Sequence, residues 1–376
     1  MGTYLGLLQR RHADTLIQRL RGAGYHVLGP VVQDGTIRYA PVDGFDRLPA
    51  GWVEQQAPGH YRLQKRDSPR CFSWTLGPQG LKPLTFAPEE PLWTVERRHG
   101  HGLEFHSHFP ETKKQAVLGV RACDLAALAL QDRHFLGGPH PDERYRRRRE
   151  GLLLIAVHCH RAAPTCFCAS TGDGPRAHHG FDLALSELDE GYLVEAGSEA
   201  GHALAAALPL IPPQPGQQAR AEREIRHAGE AQERRLPGRD LMTALRARRD
   251  AAHWEEIGRR CLACGNCTSV CPTCFCHCHQ ERPHPTEDRS SHYRQWDSCF
   301  TSGHSYIHGI VIREDTALRY RQWLSHKLGE WHAQYGRSGC VGCGRCITWC
   351  PVGIDLTHET AALLAAPPDD SEACDA

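Results

Sequence analysis

Long apolar runs are missing from this 376-residue chain. The longest, Leu152–Val157 and Ala203–Leu208, fall far short of the ~20 residues a membrane-spanning helix needs and suit a buried strand and a helix. A surplus of one charge is missing too: 44 Lys and Arg balance 44 Asp and Glu, so no global field draws nucleic acid or anionic lipid. The one strongly basic stretch, Arg144 to Arg149, reads as a solvated helical face. No Gly-x-Gly-x-x-Gly follows a strand, and there is no Gly-Lys-Ser/Thr phosphate loop and no nucleophile elbow, which argues against a nucleotide site of the chain's own. Among the first twenty residues Arg10, Arg11, His12, Asp14 and Arg19 leave no signal-peptide core. Arg10-Arg11 is followed by His12, Ala13 and Asp14, with Arg19 and Arg21 beyond, so an amphipathic first helix is expected there rather than a twin-arginine signal, and the protein is expected to be cytoplasmic.

What the chain does have is cysteine, 18 in all. Disulfide-dense chains are usually small and secreted, whereas a longer chain with this many thiols points to metal. The length suits two domains. In the first two hundred residues β-like runs at Val27–Val32, Gln115–Val120 and Leu152–Val157 alternate with helical stretches, which reads as a mixed α/β domain over 1–210. The composition turns to Pro and Gln at Pro209–Gly216, then becomes charged and weakly apolar over Ala219–Arg235 before Pro237-Gly238, so 211–240 reads as a linker. Helical patterns over Asp240–Ile257 and Ala317–Trp331 precede the two cysteine runs, making 241–365 a mainly helical ferredoxin-like domain. The tail, 366–376, has too little apolar content to pack and is expected to be disordered. The fold class is therefore α+β.

Cys261, Cys264, Cys267 and Cys271-Pro272 form one run, and Cys340, Cys343, Cys346 and Cys350-Pro351 repeat it with identical spacing. In two-cluster proteins of this pattern three closely spaced thiolates hold one [4Fe–4S] cubane and the fourth reaches to the other. The spacing assigns Cys261, Cys264, Cys267 and Cys350 to one cluster, and Cys340, Cys343, Cys346 and Cys271 to the other. Gly265 and Gly344 supply tight turns, and the prolines stop a helix from continuing past the fourth ligand. A pair of zinc sites would need only four ligands each in a tetrahedron and leaves the doubled run unexplained.

Cys123 follows one strand-like run, and Cys159, Cys166 and Cys168 follow another. Four thiolates suffice for a third [4Fe–4S] centre; the alternative is a set of buried thiols packing as small hydrophobes. Thr165-Cys166-Phe167-Cys168 recurs as Thr273-Cys274-Phe275-Cys276, with Cys278 and Cys299 nearby, so Cys274, Cys276 and Cys299 are alternative ligands. Cys71 and Cys374 stand alone, and scattered histidines such as His106, His108, His277 and His279 carry no assigned role.

Arg121-Ala122-Cys123-Asp124, Thr165 to Cys168 with Gly172 to Pro175, Cys261 to Cys276, Trp296-Asp297-Ser298-Cys299 and Cys340 to Asp355 together resemble the beta subunits of soluble sulfhydrogenases and related cytoplasmic [NiFe]-hydrogenases. That family is akin to the A subunit of anaerobic sulfite reductase. The resemblance implies a non-catalytic iron–sulfur subunit that relays electrons between a flavin subunit handling NAD(P)H and a hydrogenase-type catalytic subunit. The neighbouring alternative is the relay subunit of an anaerobic sulfite or heterodisulfide reductase, and an iron–sulfur redox sensor is the alternative of another class. One departure is Ala122, where the family commonly has proline.

Overall fold

The computed structural model describes residues 4–75, 77–98, 102–238, 241–285 and 288–369. In chain order the strands are β1 (Gly6–Gln9), β2 (His26–Gln33), β3 (Thr36–Pro41), β4 (Trp52–Ala57), β5 (His60–Lys65), β6 (Glu89–Arg98), β7 (Gly102–Ser107), β8 (Gln115–Val120), β9 (Leu152–Val157), β10 (Leu183–Leu188), β11 (Gly191–Ala196), β12 (Leu210–Ile211), β13 (His277–Pro283), β14 (Arg289–Trp296), β15 (Tyr306–Ile307) and β16 (Ile310–Val311). The expected runs at 27–32, 115–120 and 152–157 are β2, β8 and β9. The fold is α+β.

The main sheet has the order β12-β1-β11-β10-β9-β8-β2-β3. Its centre is parallel, with β2 beside β8, β8 beside β9 and β9 beside β10, while β3, β11, β1 and β12 join antiparallel. Parallel strands are covered on both faces, which is why β9 is an unbroken Leu-Leu-Leu-Ile-Ala-Val with every position buried. Leu153, Ile155 and Val157 face one core, together with Leu16, Ile17 and Leu20 of the amphipathic helix Asp14–Gly22. Leu152, Leu154 and Ala156 face the other, together with Leu125 and Leu128 of the helix Ala122–Leu136. Each buried leucine contributes about 1.5–3 kcal/mol.

A second sheet, β13-β14-β6-β7, is antiparallel throughout and joins residues of both halves of the sequence. The halves interlock elsewhere as well. Trp331 and Val341 lie in the core of the main sheet, and Phe167 lies in the core built by Trp254, Tyr320, Trp323 and Ile347.

Three expectations change here. The segment expected as a linker carries the helix Gln217–Glu230, whose Gln217, Ala221, Ile225 and Ala228 form one buried stripe against β10. Small and polar residues line that stripe, so average composition hid it. The part expected to be mainly helical also holds β13 and β14, whose His- and Arg-rich faces gave little apolar alternation. Of the expected disordered tail, residues up to 369 are described: the Asp369 amide donates to Ala247 O at 2.6 Å, and Asp369 Oδ2 accepts from the Asp250 amide at 2.9 Å. The rest of the tail lies outside the described residues, as does Asp240.

The basic stretch forms the helix Glu143–Glu150, whose arginines pair with Glu143, Glu150, Glu90 and Asp132. The helical pattern ending at Ile257 becomes two helices, Met242–Arg246 and His253–Arg260. The later one becomes Thr316–Ser325, a π-helical turn His326–Glu330, and Trp331–Tyr335.

Candidate iron–sulfur centres

The two cysteine runs have the same backbone. The helix His253–Arg260 ends at Cys261, the chain turns through positive φ at Ala263 and Gly265 (φ 50° and 74°), and the short helix Asn266–Ser269 leads to Cys271. In the second run Gly342 and Gly344 turn at φ 63° and 74°, and the helix Arg345–Thr348 leads to Cys350. The two short helices pack against each other. The turns aim backbone N–H groups at sulfur: Ala263 N lies 3.4 Å from Cys261 Sγ, Gly342 N 3.5 Å from Cys340 Sγ and Ile354 N 3.3 Å from Cys350 Sγ. Such bonds favour a thiolate and tune a cluster held by it.

Cys261, Cys264, Cys267 and Cys350 line one cavity, which Cys346 also reaches, walled by Phe300, Tyr320, Trp323, Ile354 and Leu356. Cys264 is exposed, with Leu262 63% exposed beside it. Cys340 and Cys343 neighbour each other and Cys271, and Cys346 neighbours the same three and, from the first run, Cys267. Burial pushes the free Cys340 thiol up to about 12 and raises Cys267 and Cys346 well above the ordinary thiol range. Cys271 is held low, chiefly by the hydrogen bond of Cys274 and then, against burial, by the Lys327 ammonium. Thiolates that hold a cubane sit at its corners; among the described residues no three His, Cys, Asp or Glu side chains converge as they would on a single ion.

The N-terminal set sits where parallel sheets place ligands, beyond the carboxyl ends of adjacent strands. Cys123 follows β8, and Cys159 follows β9. Cys166 neighbours Cys168 and Cys159, while Cys123 neighbours Cys168 and, from the second run, Cys343. Gln232 Nε2 lies 3.3 Å from Cys168 Sγ, and Arg121 Nη1 lies 3.9 Å from Cys159 Sγ. Arg121 is fully buried and, among the described residues, has no carboxylate partner; it donates to Phe72 O and Trp74 O at 2.9 and 2.7 Å and lies over the Trp74 ring. A buried guanidinium without a carboxylate is costly unless other anions surround it.

The second run is pressed onto this set. The Phe167 amide donates to Gly342 O at 2.9 Å, a Cβ on Gly342 would lie 2.6 Å from the Cys168 backbone, and one on Gly344 would lie 2.2 Å from Thr165 O. Arg345, between Cys343 and Cys346, makes a buried bidentate pair with Asp124, next to Cys123, at 2.7 and 3.0 Å. Sequence reasoning gave no role to Arg345, Asp124, Arg121 and Gln232, although the first three lie within the quoted motifs. Three of them flank the motif cysteines, and that adjacency was the available signal.

Of the alternative ligands, Cys274 neighbours Cys271, and Cys276 neighbours Cys299. Cys71 stands apart, buried beside Glu187 and Arg10, with its thiol pushed up by burial to about 11. Cys374 lies outside the described residues. His279 and His292 bond each other at 2.8 Å on the second sheet.

Residues 260–354, which span both runs, match the model of the 4Fe-4S dicluster domain. The match falls on the segment that carries the thiol-lined cavity and the paired turns, and it supports [4Fe–4S] clusters there. Along nearly its whole length the chain is similar to the sulfhydrogenase 2 subunit beta of Pyrococcus furiosus: 27% of residues are identical over 361, covering 93% of this chain and 95% of the relative. No solved structure matches. Among the described residues no helix is long and apolar enough to cross a membrane.

Proposed function

We propose that the chain is a non-catalytic electron-transfer subunit of a cytoplasmic oxidoreductase complex, relaying electrons between a flavin subunit that handles NAD(P)H and a hydrogenase-type catalytic subunit. The observation that carries this reading is that the two runs meet around one cavity, where Cys346 and Cys350 of the second run join Cys261, Cys264 and Cys267 of the first. Cys271 crosses in the opposite sense to Cys340, Cys343 and Cys346. These eight thiolates would hold two [4Fe–4S] clusters, each of which accepts and releases one electron at a time. Cys123, Cys159, Cys166 and Cys168 would hold a third, with Arg121 offsetting its negative charge. We place the domain boundaries functionally rather than as separate folding units: 1–210 supplies the N-terminal thiol set, 211–240 braces it through Gln232, and 241–365 supplies the paired runs.

The residues around the thiols position and insulate. Phe300, Tyr320, Trp323 and Ile354 exclude water from the cavity of the first set, and the amides of Ala263, Gly342 and Ile354 donate to sulfur. Cys343, neighbouring both Cys271 and Cys123, ties the second set to the N-terminal one. The exposed Cys264 marks the surface end of the path, flanked by Leu262 and Val352, which suit contact with a protein partner. The same relay would serve an anaerobic sulfite or heterodisulfide reductase, and the co-purifying catalytic subunit decides between them.

The test is Cys264→Ser and Cys343→Ser in the assembled complex. Each should interrupt transfer between the flavin and catalytic subunits while leaving each partner's own half-reaction intact. Undiminished coupled turnover in both variants, with assembly verified, would sink the relay reading.

A further inference from the structure

We propose that Cys274, Cys276 and Cys299, with His304 as the fourth ligand, hold an iron–sulfur cluster of their own, separate from the N-terminal set and wedged against the two clusters of the paired runs. The inference rests on the reading of those runs as cluster ligands and extends it to thiols which that reading leaves unused.

The backbone brings these residues together. Cys276 immediately precedes β13, whose first residue His277 pairs with Trp296 at the end of β14. The Asp297 amide donates to Cys276 O at 3.0 Å, which carries the 297–299 segment alongside. The Cys276 thiol then lies beside both Cys299 and His304. Cys274 also neighbours Cys271 of the second set, and Cys299 neighbours Cys267 of the first.

His304 is held as a metal-ligating histidine is held. Its Nδ1 lies 3.2 Å from Asp297 Oδ2, so the carboxylate fixes the ring, and the ring lies beside Cys276. His304 lies within the 3₁₀ turn Gly303–Ser305, whose Ser305 is buried, so the turn is anchored.

Charge gives an independent indication. Lys327 and Lys82 are 4% and 5% exposed, and among the described residues neither meets a carboxylate. Lys327 sits on the π-helical turn and donates to Thr273 Oγ1 at 2.9 Å; Lys82 donates to Thr268 O at 3.2 Å and lies 3.8 Å from the Trp296 ring centre. The titratable neighbours of Lys82 are Cys274, Cys271, Cys276 and Lys327. Two buried amines gathered on thiols, not on acids, call for an anionic body there, since a buried ammonium is strongly penalised without one. A cluster held by three thiolates is such a body. The thiolates of Cys271 and Cys340 account for part of the field at Lys327, but Cys274 and Cys276, which neighbour Lys82, lie outside the paired-run assignment.

The experiment measures iron, acid-labile sulfide and zinc per chain on anaerobically purified full-length protein, with EPR-monitored redox titration, for the wild type, Cys299→Ser and His304→Cys. Cys299→Ser should lose about four irons per chain while the signals of the paired-run clusters persist. His304→Cys should keep its iron and titrate at a lower potential, as expected when thiolate replaces imidazole on a cluster iron. Unchanged iron in Cys299→Ser together with an unchanged titration in His304→Cys overturns the proposal, as does loss of one zinc in place of iron. A wild-type chain with fewer than about eight irons would instead overturn the reading of the paired runs.

Discussion

Truncating Asp124 to alanine should destabilise the fold more than any change on the surface. The carboxylate accepts from Arg345 Nη1 and Nη2 at 2.7 and 3.0 Å, and the two side chains are 0% and 1% exposed. Without it the guanidinium keeps one bond, from Nε to Gly77 O at 3.0 Å, and loses its counter-charge. Water has no easy way in, because Gly80 is pressed so closely on the pair that a Cβ there would lie 2.6 Å from Asp124 Oδ1. Removing one partner of a buried pair costs about 3–5 kcal/mol, roughly two to four orders of magnitude in the ratio of folded to unfolded chain. Replacing both partners by apolar residues of similar size, Asp124→Leu with Arg345→Met, should recover most of that loss, since the desolvation of two charges disappears with them. The assay is anaerobic guanidinium denaturation followed by far-UV circular dichroism, with iron measured on each variant. Because the pair ties the Cys123 loop to the Cys343–Cys346 turn, Asp124→Ala should also lose iron. A loss below about 1 kcal/mol for Asp124→Ala, or a double variant no more stable than the single, refutes the reasoning.

Gly344→Ala should fail to hold the second run in place: its φ of 74° disfavours a side chain and the new Cβ would sit 2.2 Å from Thr165 O, so lower iron content and faster proteolysis are expected, and wild-type values for both would contradict the close packing. Burial, reinforced by Arg70, Arg121 and Arg161, holds His160 down to about 3, so it is neutral in the fold and protonated in the unfolded chain below pH ~6.5. Stability from this group is full above pH ~6.5 and is lost as pH falls towards 3, by at most about 1.4 kcal/mol per pH unit and less for a side chain that is only half-buried; His160→Gln should flatten that slope, and an identical slope would exclude His160 as a cause. Anaerobic chelation of iron should reduce amide-exchange protection of residues 260–354 far more than that of β8–β10, because metal binding contributes folding free energy where its ligands lie; uniform loss across the chain would count against it.

The central parallel strands were legible because burial on both faces makes them nearly continuous apolar runs, and Leu152–Val157 could hardly be anything else. The spacing Cys-x2-Cys-x2-Cys-x3-Cys was legible for a chemical reason, since a cubane fixes the distances its thiolates must span. Gln217–Glu230 was not, because its buried stripe is Gln, Ala, Ile and Ala and its average composition is that of a solvated segment. Nor was the second sheet, for β6 and β14 lie almost two hundred residues apart at Ser291 and Thr94, and no local pattern announces a pairing of that range. The partners of the thiols were hidden differently. Lys327 looks like one more surface lysine in a helix until the π-helical turn rotates it inward, and Asp297 and His304 meet only because the chain turns at Gly303.

The interlocking of the two halves follows from what the thiols require. Arg121 and Cys159 come from the sheet, Cys343 and Arg345 from the second run, and Gln232 from the helical segment between them, so no cut through the chain separates a complete thiol set from the cations and amides that surround it. The separation of the N-terminal and second thiol sets is set by backbone against backbone, Gly342 on Cys168 and Gly344 on Thr165, with no flexible side chain between. Direct backbone contact of that kind cannot be adjusted by rotamer changes. The two glycines therefore fix the spacing of the two thiol sets as well as the packing, and they join the halves of this protein although the cysteine motifs lie in separate stretches of sequence.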